Sequence, residues 1–262
     1  MNMKIAVVNQ KGGTGKTTLA FHLSYLLAEK FRTLAIDLDP QAALTRASGL
    51  DPESLEAAMD TIFQSYIRGE RNVRVPDIAR NVNFGGVEYL ILPSRLGLDT
   101  ANVFLVNLIG REKVLRKILK DADADVVLID CQPTFSLLTI NALVAADAVL
   151  IPVEPAYFSI YGLLSLLDLI SMIKEDQNPN LEVLGIVPNK IPPRSGVANE
   201  LMEKLKKLQD YSILPPIPMT SYFERALRER KRIDEYSAPT ARRASNALFE
   251  IRDMIVKKIE GV

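Results

Sequence analysis

The sequence predicts an α/β fold: one three-layer domain over residues 1–262, with a mostly parallel sheet covered by helices on both faces. Three observations carry this. Short apolar runs recur along the chain, each followed by a segment with helical spacing. The runs are continuous rather than alternating, as strands buried on both faces require. The first run, Ile5-Ala6-Val7-Val8, feeds a glycine-rich turn that opens a helix.

The elements follow in order. After the strand at 5–8 comes an amphipathic helix over 16–29, then a strand over 33–37 that ends in acid. Residues 55–67 have helical spacing, with Leu55, Met59, Ile62, Phe63 and Tyr66 on one face. A strand at 89–92 is closed by Pro93, and a helix follows at 112–119. The strand at 126–129 ends in Asp130; a helix at 137–144, a strand at 148–152 and a long helix over 160–174 come next. The last third gives a strand at 183–187, a helix at 198–208, an extended piece at 213–218, and helices at 222–230 and 240–259. Pro192-Pro193 and Pro215-Pro216 read as turns, and neither a repeat nor a linker interrupts the pattern.

Composition sets bounds. With 32 basic and 32 acidic residues the chain has no global field toward nucleic acid, so any such surface must be local. The lone Cys131 excludes an intrachain disulfide framework and fits a reducing cytosol. Met1-Asn2-Met3-Lys4 leads straight into the first strand, leaving no room for a secretory leader. Asp147 and Asp168 break the longest apolar stretches too early for a membrane span. The expectation is a soluble, cytoplasmic protein.

Residues 11–18 read Lys11-Gly12-Gly13-Thr14-Gly15-Lys16-Thr17-Thr18. Small residues let backbone N–H groups curl around an anion, and the helix start adds its positive dipole end. Lys16 can reach the outer phosphates of a nucleotide, and the Thr17 hydroxyl can ligate Mg²⁺. The common phosphate-loop pattern opens with glycine; here that place is taken by Gln10, with Lys11 beside it. This narrower pattern resembles the deviant phosphate loop of the ParA/MinD family of ATPases, and implies a fold of the P-loop NTPase type. The resemblance implies that Lys11 reaches the nucleotide of a second subunit, so that ATP joins two copies in a homodimer.

Three more sites belong at the carboxyl ends of the strands. Asp37-Leu38-Asp39-Pro40-Gln41 places two carboxylates at alternate positions, suited to water activation and metal-site hydrogen bonding. The resemblance assigns Asp39 the attacking water and, through water, a share of the Mg²⁺; Asp37 supports it. The plainer alternative for Asp39 is helix capping before Pro40. Asp130 closes an apolar strand, where a carboxylate is costly unless a cation or donors meet it. Opposite a phosphate loop the natural partner is Mg²⁺, usually through water. The family continues with a small residue and two prolines, whereas this chain has Cys131-Gln132-Pro133, so Gln132 departs from the pattern and is expected to make a polar loop contact. Pro188-Asn189-Lys190 matches the family position where Asn189 would read the adenine edge, the alternative being a turn asparagine. Pro218, in Ile217-Pro218-Met219, matches the loop against the base.

The resemblance runs nearly end to end and excludes relatives that need paired cysteines or a tyrosine-rich tail. The only histidine, His22, lies mid-helix among apolar neighbours and reads as structural rather than catalytic. Between Met219 and Arg243 lie Arg225, Arg228, Arg230, Lys231, Arg232, Arg242 and Arg243, against four acidic residues. Arginine suits phosphate contacts. Family members that bind DNA without sequence preference use basic residues in this part of the chain, on a surface that dimerisation completes. The implied function is a partition or positioning ATPase, nucleoid-associated, with a ParB-like or cargo-bound partner stimulating hydrolysis and no membrane contact. Two alternatives remain. A MinD-like membrane switch would need an amphipathic extension, and here the last helix runs to Gly261-Val262. A carboxylate-activating ATP enzyme of the same broad fold would need a substrate pocket that the sequence does not reveal.

Overall fold

The apolar runs become the strands β1 (Met3–Val7), β2 (Thr33–Leu38), β4 (Val87–Leu92), β5 (Val126–Cys131), β6 (Ala148–Val153) and β7 (Glu182–Pro188), joined by an edge strand β3 (Arg80–Phe84). In this computed structural model, which describes residues 3–261, they form one seven-stranded sheet in the order β3-β4-β2-β5-β1-β6-β7. Only β3 runs antiparallel to its neighbour. Met1, Asn2 and Val262, on which the expectations about a leader and a terminal extension partly rest, lie outside the described residues.

Period-two alternation sends successive side chains into two separate cores. From β1, Ile5 and Val7 point to the layer that holds α1 (Lys16–Ala28) and α11 (Pro239–Glu260), while Ala6 points to the other face. That second face packs α3 (Met59–Ile67), α5 (Gly97–Leu105), α6 (Val114–Ile118), α7 (Leu137–Ala145), α8 (Ser159–Asp176) and α9 (Gly196–Lys206). Shorter helices α2 (Ala43–Ala47), α4 (Val75–Ile78) and α10 (Tyr222–Glu229) fill the connections. The three-layer, mostly parallel architecture expected from the sequence is the one observed.

The differences have local causes. The segment at 55–67 turns helical only from Met59, because the Arg95 guanidinium captures the Leu55 carbonyl (2.6 Å) and the Asp60 carboxylate (2.9 Å) at its start. The segment at 112–119 keeps only five α-helical residues. There the Asn141 side chain takes the Leu115 N–H (3.0 Å) and donates to the Arg111 carbonyl (2.7 Å), groups a longer helix would have paired internally. Strand β3 was not expected, since its sequence Arg-Asn-Val-Asn-Phe buries only Val82 and Phe84. Helices α2, α4 and α5 were also not expected.

Gly185 in β7 is where the extended piece at 213–218 meets the sheet: a methyl there would lie 2.5–2.8 Å from the Leu214 side chain. Gly185→Ala should therefore destabilise the fold by about 1–3 kcal/mol through overpacking. Urea unfolding checks it; an unchanged midpoint would mean that this piece shifts freely.

Candidate functional site

Strand register brings the expected residues together. Parallel pairing sets Val7 level with Asp130 and Asp130 level with Asp37, so the loops after β1, β2 and β5 leave the sheet side by side at its carboxyl edge. Residues 9–15 then wrap across this edge. Gly13 (φ 79°) and Gly15 (φ 90°) take the left-handed conformations that the wrap needs. A side chain at Gly15 would also collide with the Asn189 amide.

The loop is pinned from three sides. Asn9 donates to the Pro152 carbonyl (2.7 Å) and accepts from the Lys11 N–H (2.9 Å), tying the loop to the end of β6. Asn189, after β7, donates to the Thr14 carbonyl (2.7 Å). Lys16 is buried, and its Nζ donates across the loop to the Lys11 carbonyl (3.1 Å). Burial lowers its pKa, while the facing Asp130, Cys131 and Asp39 favour the charged form. Gly12 and Gly13 are exposed with open space before them, so their backbone faces outward. Thr17 and Thr18 follow on the first turn of α1, half-buried.

The three aspartates have different surroundings. Asp37 is fully buried and satisfied: it accepts from the Thr45 N–H and hydroxyl, both at 2.7 Å, and from the Asp39 N–H at 3.2 Å. Burial nonetheless pushes its pKa up to about 6, against those donors. It therefore anchors α2 and the turn that carries Asp39. Asp39 is half-buried and accepts from the Gln41 N–H (2.8 Å), a capping contact of its own turn. Ala42 closes that turn in the left-handed region (φ 55°), a conformation that costs an alanine about 1–2 kcal/mol. Asp130 is fully buried, and neither carboxylate oxygen has a partner of ordinary hydrogen-bond geometry among the described residues. Burial holds its pKa well above the usual range; Asp37 adds to this, and the nearby Thr17 hydroxyl and Lys16 oppose it. Gln132 makes the expected polar contact, donating to the Ser136 hydroxyl that caps α7.

A cavity of about 430 Å³ opens beside the loop, lined by Thr18, Asn189, Lys190, Pro218, Met219 and Phe223 among others. Asn189 and Pro218 thus meet at one pocket. In this structure the Asn189 oxygen accepts from the Lys190 N–H (2.9 Å) and its amide nitrogen holds Thr14. Reading a base edge would require exchanging one of these bonds.

The basic set divides. Arg232 is largely buried, bound to Glu29 and to Asp234 (3.0 Å) over the Tyr25 ring. Arg230 donates to the Asn83 carbonyl (3.0 Å) above Phe84, and Arg225 pairs with Glu229 (2.7 Å) between Tyr222 and Tyr236. Arg228, Lys231, Arg242 and Arg243 are exposed; of these only Lys231 has an ion pair among the described residues, a long one to Glu229 (3.9 Å). His22 is buried against the Tyr25 hydroxyl (2.6 Å) and held down to about 3, a structural residue as expected.

One residue was missed. Glu154, just past β6, pairs with Lys11 at 2.6 Å. The signal that singled out Asp130, an acid closing an apolar strand, was there too. No helix among the described residues is long and apolar enough to cross a membrane.

Residues 2–183 match the family model described as AAA domain. The chain is 36% identical over 261 residues to the uncharacterized protein MJECL24 of Methanocaldococcus jannaschii, covering 98% of this chain and 99% of that one. It is 32% identical over 210 residues to the sporulation initiation inhibitor protein Soj of Bacillus subtilis, covering 79% of this chain and 80% of Soj. Among solved structures, cobyrinic acid a,c-diamide synthase of Mycobacterium smegmatis, with bound ADP and magnesium, superposes with a TM-score of 0.82 at 28% identity over 99% of this chain and 96% of that one. McdA of Cyanothece gives 0.85 at 24% over 97% and 100%, a likeness that speaks to the fold alone. With its lysine-fronted phosphate loop on this sheet, the chain belongs to the AAA domain family and, within it, to the ParA/MinD ATPases.

Proposed function

We propose that residues 1–262 act as one nucleotide-binding unit that hydrolyses ATP, dimerises around it, and in that state binds DNA without sequence preference. The single observation that carries this reading is the division of labour between two lysines of one loop. Lys16 is buried in the cradle, whereas Lys11 is half-exposed and paired with Glu154 just past β6.

The backbone of Gly12–Thr18 and the Lys16 ammonium would hold the phosphates, with Asn189 and Pro218 at the base. Mg²⁺ fits the remaining chemistry: Asp130 offers two buried oxygens that have no partner of ordinary hydrogen-bond geometry among the described residues, and the Thr17 hydroxyl stands beside them. When bound, that ion would supply charge neutralisation for the phosphates. Asp39, half-buried and anchored through Asp37, would orient the attacking water and share the ion through water. The exposed Arg228, Lys231, Arg242 and Arg243 are the DNA contacts this reading favours, and dimerisation would double them. Arg225, Arg230 and Arg232 instead support the surface that presents them. A ParB-like or cargo-bound partner would stimulate hydrolysis by ordering the loops of Asp39 and Gln132, and so release the protein from the nucleoid.

A second reading, ATP-dependent carboxylate activation, has one observation in its favour: the name of the Mycobacterium smegmatis structure. The front-loop Lys11 and the exposed basic residues Arg228, Lys231, Arg242 and Arg243 favour the first.

Fluorescence anisotropy on a random duplex, with apo, ADP-bound and ATP-bound protein, separates the two. Tight binding is expected only with ATP, weakening steeply with salt; no binding in any state overturns the DNA reading. Arg242→Ala with Arg243→Ala should lower the salt slope by about 2, roughly one per lost phosphate contact.

Lys16→Ala should abolish nucleotide binding. Asp39→Ala should cut turnover by about 10²–10⁴-fold while the ATP dimer persists on DNA. Normal hydrolysis by Asp39→Ala would remove it from the water-positioning role.

Asp130→Asn removes a buried carboxyl whose ionisation costs stability, so at alkaline pH the nucleotide-free protein should be more stable to denaturant than wild type, while losing its response to Mg²⁺. The wild-type Asp130 has a folded-state pKa above its unfolded value, so its ionisation costs stability as pH rises through the folded value. The unfolding midpoint should therefore fall as pH rises above the ordinary carboxylate value of 3.8, and fall less in Asp130→Asn.

A further inference from the structure

We infer that Glu154 is a positioning residue for Lys11: it holds the front-loop ammonium on its own subunit and so sets how much phosphate charge a second subunit must offer to draw that lysine across. The inference rests on the reading of Lys11 as the residue that reaches the other copy's nucleotide.

The end of β6 grips Lys11 twice. Its backbone N–H is held by Asn9, itself bound to the Pro152 carbonyl, and its Nζ meets the Glu154 carboxylate at 2.6 Å. Glu154 is fixed in turn, because the Ser159 hydroxyl at the start of α8 donates to its carbonyl (2.6 Å). The carboxylate is the more buried partner, its side chain 20% exposed against 47% for the lysine. The ammonium can therefore leave at lower desolvation cost than the acid can follow. Around the pair, Gln10, Phe158 and Tyr161 line a cavity of about 440 Å³ that also reaches Lys11, so a phosphate approaching from outside meets the lysine directly.

Two states follow, with Lys11 on Glu154 in the separate subunit or on the partner's phosphates in the dimer. A dimer must break two such pairs. Exposed ion pairs are each worth a factor of about 1.5 to 5, so two together amount to about 2- to 30-fold in dimer affinity. ADP, with less phosphate charge than ATP, competes less well with the carboxylate, and Glu154 thereby sharpens the distinction between them.

Sedimentation of the full chain with a non-hydrolysable ATP analogue, or with ADP, tests this in wild type, Glu154→Gln, Glu154→Asp and Lys11→Ala. The neutral isostere Glu154→Gln should tighten the analogue-bound dimer by about 2- to 30-fold and raise the dimer fraction with ADP, while Glu154→Asp, which keeps the charge, stays near wild type. Nucleotide affinity of the dilute monomer, read with a fluorescent ATP derivative, is the control that a merely structural change would move. In wild type, raising salt should narrow the gap to Glu154→Gln by screening the pair. If wild type dimerises and Glu154→Gln does so equally or less well, the inference is overturned and the proposed function stands. If Lys11→Ala dimerises like wild type, or nothing dimerises, the reading of Lys11 itself fails.

Discussion

At the carboxyl edge of the sheet, register forces Asp37 and Asp130 onto neighbouring strands about 5 Å apart. Two ionised carboxylates at that spacing repel by about 3 kcal/mol even at an effective dielectric constant near 20. The fold answers the problem for one of them. Asp37 receives three donors from Thr45 and Asp39, and with them the turn after β2 becomes rigid enough to carry Asp39. Asp130 receives none of ordinary geometry, and the nearest fixed cation, Lys16, is committed to the Lys11 carbonyl. The edge is therefore short of positive charge at one defined point, beside a loop whose outward-facing backbone suits anions. An arrangement that attracts a cation and a polyanion together is what a metal–nucleotide complex satisfies, and the loop, the turn after β2 and the α7 cap are all arranged around it.

Helix α1 carries the consequences of that edge to the far side of the layer. Its 13 residues span about 20 Å, from Lys16 at the phosphate loop to the Glu29 region. Glu29 receives both Arg232 and Arg252 (3.3 Å), so the connection between α10 and α11 is fastened to the end of the helix whose beginning lines the loop. His22 and Phe223, with ring centres 4.9 Å apart, add a second attachment midway. This accounts for the division of the basic cluster. The arginines that pack on Tyr25 and Phe84 build the platform, and Arg228, Arg242 and Arg243 beyond it are exposed without an ion pair among the described residues.

Much of this was legible in the sequence, for identifiable reasons. Continuous apolar strands and the Lys11–Thr18 loop are local signals, and the buried-strand pattern by itself places Asp37 and Asp130 at strand ends. Local signals failed where the deciding contact is distant. Nothing near residue 55 announces that Arg95, forty positions on, will intercept the start of that helix. Nothing near residue 115 announces Asn141. Strand β3 escaped because an edge strand with two buried residues resembles a polar loop. In the basic region, charge could be counted but burial could not, so Arg232 and Arg243 looked alike although one is an anchor and the other is bare.

The two lysines of the loop extend that lesson to function. Same residue, same loop, five positions apart: the difference lies in which carboxyl-edge group each one meets. Lys16 turns inward because α1 starts there and its first turn points down onto Asp130. Lys11 turns outward because Asn9 ties its backbone to β6, where the next acid along the chain is Glu154. A lysine held that way gains nothing for its own cradle, since its ammonium is spent on a carboxylate at the rim. Its position is useful only to something that approaches the rim from outside. Tyr157 and Phe158, just before α8, and Tyr161, on its first turn, are exposed and make that rim apolar as well as charged. Water is a poor match for such a surface, and on the proposed function a second copy bringing its own bound phosphates would match both parts of it.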